Sequence, residues 1–181
     1  MVVAACSGGT AAPPSFDPAA PCAGADEQVM ARAYPDLEAA LPAALAGVIP
    51  TNRESGRYCS RNTLGGLLDK GIAETHFGAV TWDRGGGKAI SLVLFEADGL
   101  TADALFDSYQ SAAAANSKIH DLRASTLTIN GVAGRRIDFL NGDSSFQAVI
   151  VWPGDGPGRV RVALSADLAN DEVQAALEAF R

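Results

Sequence analysis

Four short runs of apolar and β-branched residues, separated by strong turn signals, dominate the second half of this chain. They cover residues 122–129, 132–140, 145–152 and 159–165. The first turn, Asn130-Gly131, is the dipeptide most typical of a two-residue β-hairpin, and the other two are rich in Gly, Asp, Asn and Pro. Because hairpins join antiparallel strands, this half predicts an antiparallel meander.

The first half carries mainly helical patterns. A helical region is expected over residues 26–45, broken near Pro35, and a second helix from a Ser60 cap to Gly71. A hairpin of strands 75–83 and 88–97 then surrounds a glycine-rich turn. A third helix follows a Thr101 cap, and Asn170 or Asp171 caps the last one.

This order of elements predicts the fold class α+β. We expect residues 26–181 to form one domain, a single antiparallel sheet of about six strands with helices packed mainly on one face. Residues 1–25 differ in composition. They are mostly Gly, Ala, Ser, Thr and Pro and cannot bury enough apolar surface to fold. They are expected to form a disordered tether.

Residues 3–9, Val-Ala-Ala-Cys-Ser-Gly-Gly, resemble the lipobox of bacterial lipoproteins. The resemblance implies that Cys6 carries a lipid and that the protein is exported and anchored to the cell membrane from outside the cytoplasm. The charged and apolar segments of a signal peptide do not precede this motif, so we expect the native precursor to begin further upstream.

The three cysteines agree with export. If Cys6 is lipidated, Cys22 and Cys59 remain as an even pair in a compartment where disulfides persist. We therefore expect a Cys22–Cys59 disulfide; the alternative is two unpaired buried cysteines.

The order of elements, together with the lipobox, is similar to that of PsbP-like lipoproteins, including the LpqN type of high-GC bacteria. The resemblance implies a fold and a location in the cell envelope. It implies no activity.

Charge and hydropathy exclude two other classes of partner. A formal net charge of −7 and a pI near 4.7 argue against nucleic acid, whose binding requires clustered Lys and Arg. The longest apolar stretches, such as residues 89–97, are much shorter than the roughly 20 residues of a spanning helix. Membrane contact is therefore expected only through the lipid on Cys6.

No motif predicts catalysis or a cofactor. His76 and His120 are the only histidines, and neither stands in a recognisable nucleophile–base pattern. The glycine-rich run at residues 83–88 lacks the Ser or Thr and the helix that follow the lysine of a phosphate loop. No spacing predicts a metal site, and the Asn, Gly and Asp of residues 141–143 are explained by turn chemistry.

Alternation along two strands suggests one possible binding face. If Ile137, Val160 and their apolar neighbours face the core, four charged residues face away from it. These are Arg136, Asp138, Arg159 and Arg161. With Thr126 and Thr128 on a neighbouring strand, this donor-rich face suits an acidic glycan or a protein partner. The alternative is an ordinary solvated face whose charges discourage edge pairing.

These observations favour a non-enzymatic binding or accessory module of the cell envelope. An envelope enzyme, such as a hydrolase with an unrecognised site, is the first alternative, and a structural envelope protein is the second. A pocket that gathers His76 or His120 with a carboxylate and a hydroxyl would favour the enzyme; a flat face or a groove between helix and sheet would favour the module.

Overall fold

The computed structural model describes Asp17, Ala20 and residues 29–181. The elements alternate between helices and strands in this order: β1 (Val29–Met30), α1 (Pro35–Ala39), β2 (Asn52–Tyr58), α2 (Arg61–Leu64), α3 (Gly66–Asp69), β3 (Thr75–Gly85), β4 (Lys88–Glu96), α4 (Ala102–Ala115), β5 (Ile119–Ile129), β6 (Val132–Asn141), β7 (Ser145–Pro153), β8 (Arg159–Ala166) and α5 (Asn170–Ala179).

All strands belong to one antiparallel sheet in the order β1-β2-β3-β4-β8-β7-β6-β5. Two antiparallel meanders, β2–β4 and β5–β8, join along β4 and β8, because the connection through α4 carries the chain to the far edge. The predicted mixed fold with one antiparallel sheet is confirmed. Each of the six predicted strands matches an observed strand that differs at its ends by three residues or fewer.

The predicted number of about six strands is too low. In the part of the chain that the structure describes, the sheet contains seven strands of seven or more residues and the two-residue β1. The sequence analysis missed β2, whose residues are Asn-Arg-Glu-Ser-Gly-Arg-Tyr, because it has no apolar alternation. Its inward positions are polar instead: Ser55 and Arg57 are 0% and 2% exposed.

Helices cover both faces of the sheet, so the expectation of helices mainly on one face is wrong. Alternate residues of β4 belong to different cores: Leu92 packs with the cluster that includes α1 and α5, and Val93 packs with the cluster that includes α2, α3 and α4. We call these two surfaces the α1/α5 face and the α4 face. The continuous apolar run of β4 is explained by this double burial.

The helices agree with the sequence in part. Pro35 begins α1, but this helix has five residues and β1 precedes it, so the long helical region predicted over residues 26–45 is wrong. Ser60 and Thr101 cap α2 and α4 as predicted, their hydroxyls accepting bonds from the backbone N–H of Thr63 and Ala104. The predicted second helix is divided into α2 and α3 at Gly65, whose φ is +49°.

Within residues 29–181, no helix has the length and apolar character needed to cross a membrane.

Candidate functional site

The structure places the four predicted binding residues on one face but does not bring them together. Arg136 pairs across the sheet with Ile150, and Arg161 with Trp152, so these side chains share the α1/α5 face with Asp138 and Arg159. Helices α1 and α5 pack on this face. The expected open charged surface is therefore divided into separate ion pairs.

Thr126 and Thr128 lie on the opposite side of the sheet, contrary to expectation. Thr126 is opposite Arg135, which is opposite Val151 of the α4 cluster. Directly paired residues point to the same face, so both threonines face the α4 side. Ser125 is the β5 residue that neighbours Arg136.

Arg136 and Asp138 line an open groove of about 570 Å³ where α5 begins, which we call the Arg136 groove. The Nε atom of Arg136 donates to both carboxylate oxygens of Asp138, at 2.8 and 3.0 Å, and Nη2 donates to Oδ1 of Asn170 at 3.1 Å. The other lining residues come from β5, β6 and β7: Asp121, Arg123, Ser125, Phe139, Leu140 and Phe146. Phe146 is 38% exposed, so its ring is accessible from the groove.

Of the two arginines in the groove, Arg136 is ion-paired and Arg123 is not. The Arg136 guanidinium is held in one geometry by Asp138 and Asn170, with its side chain 18% exposed. The Arg123 side chain makes no ion pair with another residue in the described part of the chain. The groove therefore combines an exposed ring, a fixed set of donors and acceptors, and two charged side chains, Arg123 and Asp121, that make no ion pair in the described part of the chain.

Arg161 is a buried structural residue. Its Nη2 donates to Oδ2 of Asp155 at 2.6 Å, and its guanidinium carbon lies 5.6 Å from the centre of the Phe180 ring. The residue is 7% exposed because the C-terminal end of α5 covers it. Arg161 is therefore not part of an open binding face.

Arg159 belongs to a different polar group at the end of the sheet. Its Nε donates to Oε2 of Glu96, and Glu96 lies opposite His76, which lies opposite Arg57. These four residues form one row across β2, β3, β4 and β8.

His76 and Glu96 line an open pocket of about 560 Å³, the His76 pocket, with Glu74 and Asp98. The His76 Nε2 and Glu74 Oε1 atoms are 2.9 Å apart, and the imidazole stacks on the Tyr34 ring at 4.3 Å. Burial raises the pKa of the Tyr34 phenol; nearby Arg57 opposes this rise and Glu74 adds to it. The pocket thus collects a histidine and carboxylates, but no Ser, Thr or Tyr hydroxyl is among its described lining residues.

The remaining sequence candidates have structural explanations. His120 is an exposed residue at the start of β5, opposite Leu140. The glycine-rich run forms the turn between β3 and β4, as predicted. Among the described residues, no group of three or more His, Cys, Asp or Glu side chains is placed to hold a metal ion.

Of the three cysteines, Cys59 alone lies within the described residues. Cys6 and Cys22 lie outside the described residues. Cys59 follows β2 directly, precedes the Ser60 cap, and is 8% exposed. Lipidation of Cys6 and the Cys22–Cys59 bridge therefore stay predictions.

Sequence reasoning missed several residues of these sites. Glu96 could not be found by counting back from the β3–β4 turn, because the register shifts between Asp83 and Gly85; without that shift His76 would lie opposite Ala97. Phe146 and Arg123 carry no local signal, because their place in the Arg136 groove depends on β5 and β7 both flanking β6.

No family model matches this chain, and no curated protein matches it either.

Proposed function

We propose that this protein is an extracytoplasmic lipoprotein, anchored through Cys6, whose folded domain is a non-enzymatic binding or accessory module of the cell envelope. Residues 1–25, rich in Gly, Ala, Ser, Thr and Pro, would act as the tether. The module presents the Arg136 groove to an envelope partner, an acidic glycan or a protein segment.

The position of the groove supports this proposal. The described chain enters the sheet at β1, and Arg57 of the adjacent β2 donates to the carbonyl oxygen of Ala20 at 2.6 Å. The Arg136 groove lies at the other edge, bounded by β5. Seven inter-strand steps of about 4.8 Å separate these edges by roughly 34 Å along the sheet. An anchor at one edge leaves the groove accessible at the other.

The chemistry of the groove is the observation that carries the proposal. An exposed ring, Phe146, stands beside a fixed guanidinium, a carboxylate and an amide. A ring of this kind offers an apolar surface to a sugar or a side chain, while the planar polar groups fix its orientation. Arg123 supplies the attraction for a negatively charged group.

Mass spectrometry of the native mature N-terminus tests the anchor. We expect a diacylglycerol-modified Cys6 at the first position. An unmodified Cys6, or cleavage after it, would contradict the lipoprotein proposal without affecting the groove.

Site-specific photo-cross-linking in cells tests the groove. A photoreactive amino acid is placed at Phe146, and the matched control places it at Ile49, which is 75% exposed beside β2. We expect position 146 alone to capture one defined product, whose mass identifies a glycan or a protein. Arg136→Ala should reduce its yield. Equal products from both positions, or none from 146, would refute the groove as the binding surface.

One observation favours the second candidate, an envelope enzyme: the His76 pocket brings His76 within hydrogen-bond distance of Glu74. Such a pair can act as a general base toward water. On our preferred proposal, His76→Ala leaves the native role intact with unchanged folding. A large functional loss in His76→Ala and in Glu74→Gln, with both variants folded, would favour the enzyme.

A further inference from the structure

Within the described residues, β5 is an open edge of the sheet. It pairs there only with β6, extends over 11 residues, and is exposed at residues 123–126 and 128. The opposite edge is formed by the two-residue β1. A strand at an edge has a row of backbone N–H and C=O groups that no neighbouring strand satisfies.

The hairpin geometry shows which backbone groups these are. Asn130 and Gly131 both have positive φ, +50° and +83°, as a type I′ turn requires. In such a hairpin the flanking pair, Ile129 and Val132, exchanges both hydrogen bonds, and every second pair along the ladder does the same. The backbone groups directed away from β6 are therefore those of Ala124, Thr126 and Thr128.

This part of β5 carries none of the usual protection against pairing. Residues 124–129, Ala-Ser-Thr-Leu-Thr-Ile, include no charge, proline, glycine or bulge. The irregularity in the β5–β6 register lies before them, between His120 and Arg123. Natural sheet edges normally use such devices to prevent association, so the unprotected segment suits the addition of a strand.

A groove flanks this edge on each face. On the α1/α5 face it is the Arg136 groove; on the α4 face it is a groove of about 540 Å³ bordered by Thr126, Thr128 and Arg135. Alternate side chains of an added strand would enter alternate grooves. Arg135 is already paired with Asp103 and Asp107, whereas Arg123 has no ion-pair partner among the described residues.

We propose that β5 accepts an extended segment of another polypeptide as a ninth strand, with an acidic side chain beside Arg123. This inference rests on the proposed function and names a protein segment as its partner. A second copy fits less well. An antiparallel β5–β5 pair centred on Thr126 would place Ile129 opposite Arg123, and residues 124–129 contain no acid.

Amide hydrogen exchange tests the geometry with synthetic peptides about ten residues long. One peptide is threonine-rich with glutamates at alternate positions, and its counterpart has lysines instead. In the free protein we expect fast exchange at Ala124, Thr126 and Thr128 and protection at Ser125 and Leu127. The glutamate peptide should protect the first three, and the lysine peptide should not. Arg123→Glu should reverse this preference.

Two further measurements separate strand addition from other binding. Thr126→Pro removes one outward N–H, which edge strands tolerate, and should weaken binding of the glutamate peptide about tenfold. Thr126→Ala, which keeps the N–H, is the matched control and should bind normally. In a strand added at the edge, every second peptide N–H points toward β5. Methylating the peptide nitrogens at either the odd or the even positions should therefore abolish binding, and methylating the other set should not. This result does not depend on the folding of any variant.

The outcomes also distinguish this inference from the proposed function. Failure of both peptides to protect the three amides at millimolar concentration overturns strand addition. The same conclusion follows if methylation of the odd and of the even peptide positions has the same effect. Protection of the same amides by self-association, unaffected by peptide, overturns it in favour of a second copy. A glycan captured at position 146 with no peptide effect leaves the proposed function standing and refutes this inference.

Discussion

Close contact between α1 and the sheet depends on one glycine, and this gives a sharp test of the α1/α5 face. A Cβ atom added at Gly78 would lie 2.8 Å from the carbonyl carbon of Leu37 and 3.0 Å from its Cβ and O atoms. Leu37 is 3% exposed within the core, so the helix cannot move outward without losing apolar contact. We expect Gly78→Ala to destabilise the domain.

The magnitude follows from two opposing effects. Overpacking of a filled core costs about 1 to 3 kcal/mol, and replacing a strand glycine by alanine returns about 0.5 to 1 kcal/mol through the unfolded chain. Because the obstructing atoms of Leu37 are mainly backbone, overpacking dominates. We expect Gly78→Ala to lower the free energy of unfolding by about 1 to 2 kcal/mol, or the melting temperature by about 3 to 6 °C.

Urea denaturation measures this change, and Gly66→Ala is the matched control. A Cβ at Gly66, the first residue of α3, meets no atom within 4 Å, and alanine favours the helix more than glycine, so that variant should be as stable as the wild type or slightly more so. Hydrogen exchange should accelerate in α1 of Gly78→Ala alone. If Gly78→Ala is as stable as Gly66→Ala, the described packing of α1 is wrong.

Three other predictions concern buried or linked groups. Arg161→Met should leave the free energy of unfolding in urea unchanged or raised, because Nε of the buried Arg161 has no hydrogen-bond partner in the described region and Asp155 can return to water; a loss above about 1 kcal/mol contradicts this. Burial, with a smaller contribution from Tyr58, raises the pKa of Tyr109, so the fold favours the protonated phenol. The contribution of Tyr109 to the free energy of unfolding should be fully present below about pH 10, where unfolded tyrosine ionises, and should be lost as the pH rises further. Tyr109→Phe should reduce this loss in denaturation curves measured as a function of pH. Non-reducing peptide mapping should find Cys22 joined to Cys59, a bridge worth up to about 4 kcal/mol, and two free thiols would refute it.

The strands of the second half were predictable because their limits are set locally. The Asn130-Gly131 turn and the Pro- and Gly-rich loop before β8 determine where strands end, whatever packs on them. The polar strand β2 was not predictable in this way. Its inward Ser55 is satisfied by Oε1 of Glu38, at 2.8 Å, and that contact exists only after α1 has packed on the sheet.

The candidate binding face shows a similar division. Alternation correctly assigned Arg136 and Arg161 to one side of the sheet, since the period of a strand is two residues. The side of Thr126 required the hairpin register, which the two-residue turn fixes: counting back from Ile129 and Val132 pairs Thr126 with Arg135. Burial of Arg161 depends on α5 and cannot be derived from its own strand.

Arg135 illustrates what alternation leaves unexplained, since it is a charged residue on the same side as buried Ile137. Its guanidinium carbon lies 3.6 Å from the centre of the Phe106 ring, and Nη1 lies 3.3 and 3.2 Å from carboxylate oxygens of Asp103 and Asp107. Helix α4 therefore supplies both an aromatic surface and countercharges, which allow an arginine at the rim of an apolar cluster.

A double-mutant cycle tests this explanation. Arg135→Met keeps the apolar stem and removes the cation, and Phe106→Leu keeps the core apolar and removes the ring. If the guanidinium binds the ring, the two changes should couple by about 0.5 to 1 kcal/mol in urea denaturation. The control cycle combines Arg135→Met with Leu177→Ala in the cluster on the opposite face, where the effects should add. Additivity with Phe106 would show that the two carboxylates alone hold Arg135 in place.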